Sequence, residues 1–328
     1  MLPNYLSVSG KTRQNDLDVG FTISINPGAS TTRAGKQANG DGAAITGQEN
    51  RQAFVTFGDK SWGSIKLGKD LGIFASDAIL NDMTLLGVGS GAGSLAGNTT
   101  TLGRIGNGFI YADWKAQVAY SSPNFNGFSF TAGVTQAFNS FGTNNTSDRG
   151  GNQPAFEGKA SYEWAGDVGG KVWVSGISQD VVGLSDGLGG TTDERADAFD
   201  VGATVNLAGF ALTGYYYKGD GIGQTLQLLN GFDANGNTRD SDGYYVQAAY
   251  TLPGVGTKLG VSYGESTLEF NNSEGGGETE DSMWTVGAYH PITKHLNLVA
   301  EYSAQKNEVD GLRDGKAKTV SLGAILFF

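Results

Sequence analysis

Long runs of alternating apolar and polar residues constrain this chain more than any other feature. Between Asp16 and Asn26 every second residue is Leu, Val, Phe or Ile, and the residues between them are Asp, Gly, Thr or Ser. The same pattern runs through Ala198–Asn206 and through the C-terminal stretch ending at Phe328. A period of two predicts β-strands with one apolar and one polar face. Fifteen strands are predicted, at residues 5–13, 16–26, 50–58, 62–69, 108–121, 127–138, 154–164, 170–180, 196–206, 209–219, 241–251, 257–267, 281–290, 294–305 and 317–328.

The connections between these strands alternate in length. Short turns such as Gln14-Asn15 and Leu207-Ala208 alternate with long loops along the chain. Short turns on one rim and long loops on the other are typical of outer-membrane β-barrels, whereas a soluble sandwich has no reason to sort its loops in this way. The long loops include Pro27–Glu49, Leu71–Asn107, Val181–Arg195, Asp220–Asp240 and Lys306–Lys316.

The two faces of the strands differ in the way that a membrane requires. Near the short turns the apolar face carries aromatic residues such as Tyr120, Tyr162 and Phe210, which is typical of the girdle at a membrane–water interface. Aromatic capping of a soluble core is the alternative. The other face carries charges such as Glu157 and Lys159, which would be costly to bury in a dry core. A water-filled lumen removes that cost, so the sequence predicts one antiparallel transmembrane β-barrel domain over residues 1–328.

Composition excludes several classes of function. The net charge of −11 argues against a nucleic-acid partner, because phosphate binding needs a basic surface. His290 and His295 are the only histidines and flank a predicted short turn, so neither a catalytic triad nor a metal site is expected. The chain is therefore predicted not to be an enzyme and to need no cofactor. Loose Ca²⁺ binding by acidic loops such as Asp193-Glu194 and Glu278–Asp281 is left open.

The stretch 71–107 is the longest of the predicted connections, and it contains few charged residues. It carries Ile73, Phe74 and Met83 among many Gly, Ser, Thr and Asn residues. A structureless connection of this length in a compact domain usually has a function, and its apolar residues need a surface to cover. We expect it to fold into the barrel and narrow the lumen.

An odd number of strands is unusual for such a barrel. Single-chain bacterial barrels normally have an even number, because an open sheet leaves unpaired backbone groups in lipid. The expectation is fifteen strands in this sequence and sixteen in the complete protein, with one N-terminal strand missing here.

Several stretches, taken in order, resemble the Gram-negative general porins. Gln52–Gly58 and Trp62–Lys69, followed by the long loop, resemble that family's fourth and fifth strands and its constriction loop. Tyr120–Phe128 reads Tyr-Ser-Ser-Pro-Asn-Phe-Asn-Gly-Phe and is similar to the turn that follows this loop. The terminal Phe328 is similar to the family's assembly signal. The likeness covers the chain from the second strand onward, while the family's N-terminal strand is not found.

This resemblance implies a homotrimeric, sixteen-stranded barrel in the outer membrane of a Gram-negative bacterium. Its partners would be membrane lipid and lipopolysaccharide, and it would pass ions and small hydrophilic solutes by diffusion. The family places acidic groups on the inserted loop and basic groups on the facing wall. An alternative role for Asp77 and Asp82 is to attach the loop to the wall. The matching residues in this chain are Asp70, Asp77 and Asp82 on the acidic side, and Lys11, Arg13, Lys66 and Lys115 on the basic side.

Two other functions remain open at this stage. A substrate-specific outer-membrane channel would need a continuous row of like-charged or aromatic lumen residues, and the basic wall residues do not form one. A purely structural or adhesive barrel would conduct no ions. The net charge favours a weak preference for cations, although salt screens charges in the outer loops over ~8–10 Å.

Overall fold

The fold is one antiparallel β-sheet. A computed structural model describes residues 4–27, 48–89, 101–142, 145–147 and 153–328. Its strands are β1 (Leu6–Gln14), β2 (Leu17–Pro27), β3 (Gln48–Glu49), β4 (Ala53–Asp59), β5 (Gly63–Leu71), β6 (Trp114–Ser121), β7 (Phe128–Thr135), β8 (Ala155–Trp164), β9 (Val168–Ser185), β10 (Thr191–Leu207), β11 (Phe210–Asp220), β12 (Asp240–Thr251), β13 (Lys258–Glu269), β14 (Glu278–Pro291), β15 (Leu296–Val309) and β16 (Gly315–Leu326). The helix α1 (Ser76–Asn81) and a 3₁₀ turn at Asn272–Glu274 complete the regular structure of the described residues.

Each long strand pairs with the next one along the chain. Fifteen strands follow one another in the order β1-β2-β4 and onward to β16, while the two-residue β3 pairs with the end of β2. The sheet is open, because in the described part of the chain β1 and β16 each have one edge without a partner strand. Within those same residues, no helix is long and apolar enough to cross a membrane.

The alternating pattern sorts the side chains as predicted. In β10, Phe199 and Val201 lie on the outer face and remain about half exposed, whereas Asp200 between them points inward and is fully buried. In β16 the outward residues Val320 and Leu322 are 73% and 76% exposed. Exposed aliphatic side chains on every second position suit a sheet whose outer face meets lipid.

Several strand boundaries differ from the expectation, most clearly in three regions. The predicted strand 108–121 begins only at Trp114, because the preceding residues belong to the loop that turns inward. The predicted loop 181–195 is mostly strand, since β9 and β10 pair as far as Ser185 and Thr191. The predicted loop 306–316 likewise shrinks to residues 310–314, because β15 and β16 continue to pair beyond the expected ends. The pairs Asp186-Gly187 and Asp310-Gly311 mark the tips of the two extended hairpins, a local turn signal that the strand periods alone do not use.

An apolar core lies on the inner face of the sheet, which the alternation alone does not predict. Trp173, Tyr215 and Tyr245 point inward from β9, β11 and β12 and are almost fully buried. They pack against loop residues, among them Phe74 and Phe109, which are 0% exposed. Phe109 makes edge contacts with the rings of Tyr215 and Tyr245 at 6.5 and 5.8 Å between centroids. The inner space on this side is therefore filled with side chains.

Candidate functional site

The connection between β5 and β6 turns inward and lies against the inner face of the sheet. We call residues 72–113 the inserted loop; it extends the predicted stretch 71–107 by a few residues, and positions 90–100 lie outside the described residues. Its first part contains α1, whose Ser76, Asp77, Ala78 and Ile79 are buried. The apolar residues that the sequence analysis singled out lie here, and Ile73 and Met83 are each 4% exposed.

Glu157 of β8 attaches the beginning of the inserted loop to the wall. Its Oε2 accepts hydrogen bonds from the backbone N–H groups of Ile73 and Phe74 at 2.7 and 2.8 Å. Its Oε1 accepts from Lys115 Nζ and Thr135 Oγ1, both at 2.7 Å. The side chains of Glu157 and Lys115 are both fully buried, so this ion pair is isolated from solvent.

Asp77 of α1 makes the second attachment. Its carboxylate is 2.6 Å from Lys171 Nζ and 3.0 Å from Lys159 Nζ, and Lys159 also donates to Ser76 Oγ at 3.0 Å. Burial by itself would raise the pKa of Asp77, but the two ammonium groups outweigh it and lower this pKa below its ordinary value. Lys171 continues to the exposed Glu163 at 3.3 Å. Asp77 thus carries a charge that two wall lysines compensate.

Asp82 lies deeper in the inserted loop and has a different environment. Its carboxylate accepts hydrogen bonds from the backbone N–H and the hydroxyl of Thr84, at 2.9 and 2.7 Å. Full burial raises the pKa of Asp82, and the nearby Arg104 guanidinium only partly opposes this effect. Arg104 is itself fully buried and donates through Nη1 to the carbonyl of Met283 at 3.0 Å. Asp82 therefore bonds within the loop, whereas Arg104 joins the loop to β14.

The inserted loop also reaches the opposite strands. Gln247 of β12 accepts from the N–H of Met83 at 2.9 Å and donates to the carbonyl of Asn81 at 2.7 Å. Further along, the N–H of Gly89 donates to Glu301 of β15 at 2.8 Å. The same loop therefore contacts inward-facing residues from β8 to β15, which means that the sheet curves around it.

The basic residues predicted for the facing wall do not form one cluster. Lys11 is exposed on β1, and Arg13 pairs with Asp18 at 3.0 Å and with Asp59 at 2.9 Å. Lys66 forms an ion pair with Asp70 on the same strand, and its side chain is 30% exposed. Lys115 is enclosed by Glu157, as described above. Of the acidic set, Asp70, Asp77 and Asp82 are each no more than 7% exposed. The assignment of these seven residues to a pore constriction stays a prediction.

Sequence reasoning missed two features of this site. Lys171 is not among the predicted site residues. It lies two residues from Trp173 on β9, so the strand period places both side chains on the same, inward face. The attachment role of Glu157 gave no local signal, because its partners come from remote parts of the chain.

The histidines lie where expected, and His290 shares a 2.8 Å hydrogen bond with Thr257. No cluster of acidic or histidine side chains in the described ranges could hold a metal ion, and Ca²⁺ binding in the acidic loops stays a prediction.

Comparison with known structures places this architecture among outer-membrane channels. The outer membrane channel DcaP of Acinetobacter baumannii superimposes with a TM-score of 0.72 at 14% identity, over 99% of this chain and 85% of that one. OmpF of Salmonella typhi, in complex with daunomycin, gives 0.61 at 18% identity, over 98% and 90%. The anion-selective porin from Comamonas acidovorans gives 0.58 at 16% identity, over 98% and 87%. At these identities the structures show a shared fold.

The sequence itself supplies the family. No curated protein matches it. The sequence model of the Gram-negative porin family, however, matches residues 5–310 and so covers most of the strands described above. This family consists of channels, not enzymes, and it locates the protein in the bacterial outer membrane. The alternating strands and the inward loop agree with this match, and the chain belongs to the Gram-negative porin family.

Proposed function

We propose that this porin lets ions and small hydrophilic solutes diffuse through a water-filled pore that the inserted loop narrows. The observation that carries the proposal is the attachment of this loop across the inner face, from Glu157 on β8 to Glu301 on β15. A loop fixed at both sides of a curved sheet reduces the free cross-section. Because backbone groups and buried ion pairs hold it, the reduction would be the same in every molecule.

Charge at the narrow part would then select among solutes. In this proposal Asp70, Asp77 and Asp82 supply the acidic side, and Lys11, Arg13, Lys66 and Lys115 supply the basic side. Opposed charges across a narrow aqueous passage create a transverse field, which favours hydrated and dipolar solutes over apolar ones. The exposed Lys11 and the partly exposed Lys66 have the most direct access to solutes, whereas Lys115 acts through its buried pair with Glu157.

A weak cation preference is part of the proposal. The chain has a net charge of −11, which raises the local concentration of cations near the protein, although salt screens much of it. The reversal potential under a salt gradient measures this preference directly. A reversal potential of the sign expected for anions would contradict it.

We also propose a homotrimer surrounded by lipid and lipopolysaccharide. OmpT of Vibrio cholerae, described in a trimer form, shares the fold with a TM-score of 0.62 at 16% identity, over 99% of this chain and 91% of that one. The broad apolar outer face offers the surface that such an assembly and the surrounding lipid need. Three equal current steps for each insertion event would be the matching observation.

The decisive experiment is a recording from the purified, refolded chain in a planar lipid bilayer. Ohmic current steps are expected on insertion, and a chain that folds but never conducts would contradict the proposed function. Candidate solutes are then added at low concentration. A diffusion channel continues to conduct, whereas block by one solute would favour the substrate-specific alternative.

A further inference from the structure

The connection between β11 and β12 is a second inward element. We call residues 221–239 the cap loop. A connection on the surface would be exposed, yet Ile222 and Leu228 are 0% exposed and Phe232 is 1% exposed. These side chains belong to the apolar core that also contains Phe74 and Phe109 of the inserted loop. The cap loop therefore covers the inserted loop on the side of the long connections.

The backbone of the cap loop is held in an unusual conformation. Leu228 has a φ of 67°, in the left-handed region that bulky residues rarely adopt. Its N–H donates to the carbonyl of Ile222 at 2.6 Å, and its side chain is enclosed in the core. Such strain persists only where the surroundings fix the conformation, so the cap loop is held in place around Leu228.

Direct hydrogen bonds join the cap loop to the inserted loop. The N–H of Tyr111 donates to the carbonyl of Thr225 at 3.0 Å. Gln227 Nε2 donates to the carbonyls of Tyr111 and Ala112, both at 3.2 Å. The backbone of Gly106 also lies close to the side chain of Thr225, where an added Cβ would be 2.5 Å from Oγ1. These contacts fix the end of the inserted loop just before β6 begins.

The cap loop is in turn attached to the next outer connection. Asp233 accepts hydrogen bonds from the N–H groups of Asn235 and Asn237, both at 2.8 Å, and from the hydroxyl of Ser273 at 2.8 Å. Arg239 forms an ion pair with Glu274 and donates to the carbonyl of Asn230 at 3.0 Å. We call this group of contacts the loop clip. It connects the inserted loop, through the cap loop, to the rim of the sheet.

We propose that the cap loop positions the inserted loop and thereby sets the width of the pore, with Gln227 as the principal positioning residue. The inference rests on the proposed function, because it assigns a role in permeation. This role does not require Gln227 to contact a solute. It acts by holding the carbonyls of Tyr111 and Ala112, and losing this donor would let the end of the inserted loop move.

The chain offers a matched control three residues away. Gln224 is buried like Gln227 and also donates to backbone carbonyls, but its acceptors are in Ser266 and Thr279 of the wall strands. Gln227→Leu and Gln224→Leu therefore each remove one amide donor from the cap loop. The first loses its contact with the inserted loop, and the second loses its contact with the wall strands. Gly106→Ala crowds Thr225 and also strains the inserted loop at a φ of 77°, so it disturbs the loop–loop contact from the other side. It gives a second reading if Gln227→Leu does not fold.

The test compares single-channel conductance and open-channel noise in planar bilayers, with heat stability as a check on folding. Gln227→Leu and Gly106→Ala are expected to increase the noise and broaden the distribution of conductance, whereas Gln224→Leu matches the parent protein. The proposal is overturned if Gln227→Leu conducts like the parent, or if both glutamine variants change the current equally.

A parent protein that does not conduct would overturn the proposed function instead. The loop–loop contact is then read from amide hydrogen exchange at Tyr111, whose N–H is bonded to Thr225. Gln227→Leu should accelerate this exchange and Gln224→Leu should leave it unchanged. Equal exchange in the two variants would overturn the positioning role without reference to conduction.

Discussion

The carboxylate of Glu157 joins three separate parts of the chain at one point. It accepts two backbone N–H groups of the inserted loop, one hydroxyl from β7 and the ammonium of Lys115 from β6. Because the side chain is fully buried, none of these donors can turn to water if the carboxylate is lost. Leaving one member of a buried ion pair alone is strongly destabilising, whereas exposed pairs contribute little.

Glu157→Gln is expected to lower the free energy of unfolding by about 3 kcal/mol, because it leaves Lys115 buried without a counter-charge. Glu163→Gln is the matched control on the same strand. Glu163 is 58% exposed and 3.3 Å from Lys171, so its loss should cost less than about 1 kcal/mol. Urea titration of the refolded protein measures both values. Equal losses in the two variants would show that the buried pair has no special weight.

The cap loop and the inserted loop behave as one unit because each covers the other's apolar residues. The loop clip closes this unit at the rim through Asp233, Arg239 and Glu274. Burial would raise the pKa of Asp233, but hydrogen bonds from Asn237 and Ser273 outweigh it and lower this pKa below the ordinary value of 3.8. A lowered pKa in the folded state means that the ionised carboxylate favours the closed clip.

This shift gives the loop clip a defined dependence on pH. The stabilisation is fully present above the pKa of a free carboxyl group, about 4, and is lost as the pH falls through the lowered pKa. Open-channel noise should therefore be constant from pH 7 to 5 and increase below about pH 4. Asp233→Asn should show the increased noise already at pH 7. Asp186→Asn should not, because this carboxylate accepts its hydrogen bonds from Leu188 and Gly190 of the neighbouring turn. An equal effect there would exclude a specific role of the clip.

The sheet as a whole separates an outward apolar face from an inward face that the two loops partly cover. Outward Val, Leu and Phe side chains are exposed along the strands, while inward residues meet the loops or one another. The apolar core near β9, β11 and β12 is on the inner side, so the proposed pore is limited to the inner space that this core leaves free. Stability of the sheet in the membrane should therefore depend on which face a charge is placed on.

Val201→Arg tests this directly, because Val201 lies on the outer face near the middle of β10 and is 47% exposed. Placing a guanidinium in the lipid there should cost about 2–4 kcal/mol. Ser161→Arg, on the inner face of β8, should cost much less, since a charge there can reach the aqueous side. Folding into lipid bilayers at increasing urea concentration measures both. A reversed order would mean that the two faces have been assigned incorrectly.

The sequence alone determined the strands, their faces and the family. A period of two is a local property, so Val201 and Asp200 could be given opposite faces from their neighbours along the chain. The same pattern located the inserted loop through its lack of a period. Ile73, Phe74 and Met83 of this loop are buried as expected, whereas Leu80 and Leu86 are 58% and 41% exposed.

Only the tertiary structure decided which residues meet inside. Asp77 is 94 positions from Lys171, and Met83 is 164 positions from Gln247. Whether such residues touch depends on the register of every strand between them and on how two loops pack together. For that reason no local pattern revealed the attachment by Glu157, the burial of Asp82 or the cap loop. The alternation fixes which way a side chain points, and the three-dimensional packing fixes what it meets there.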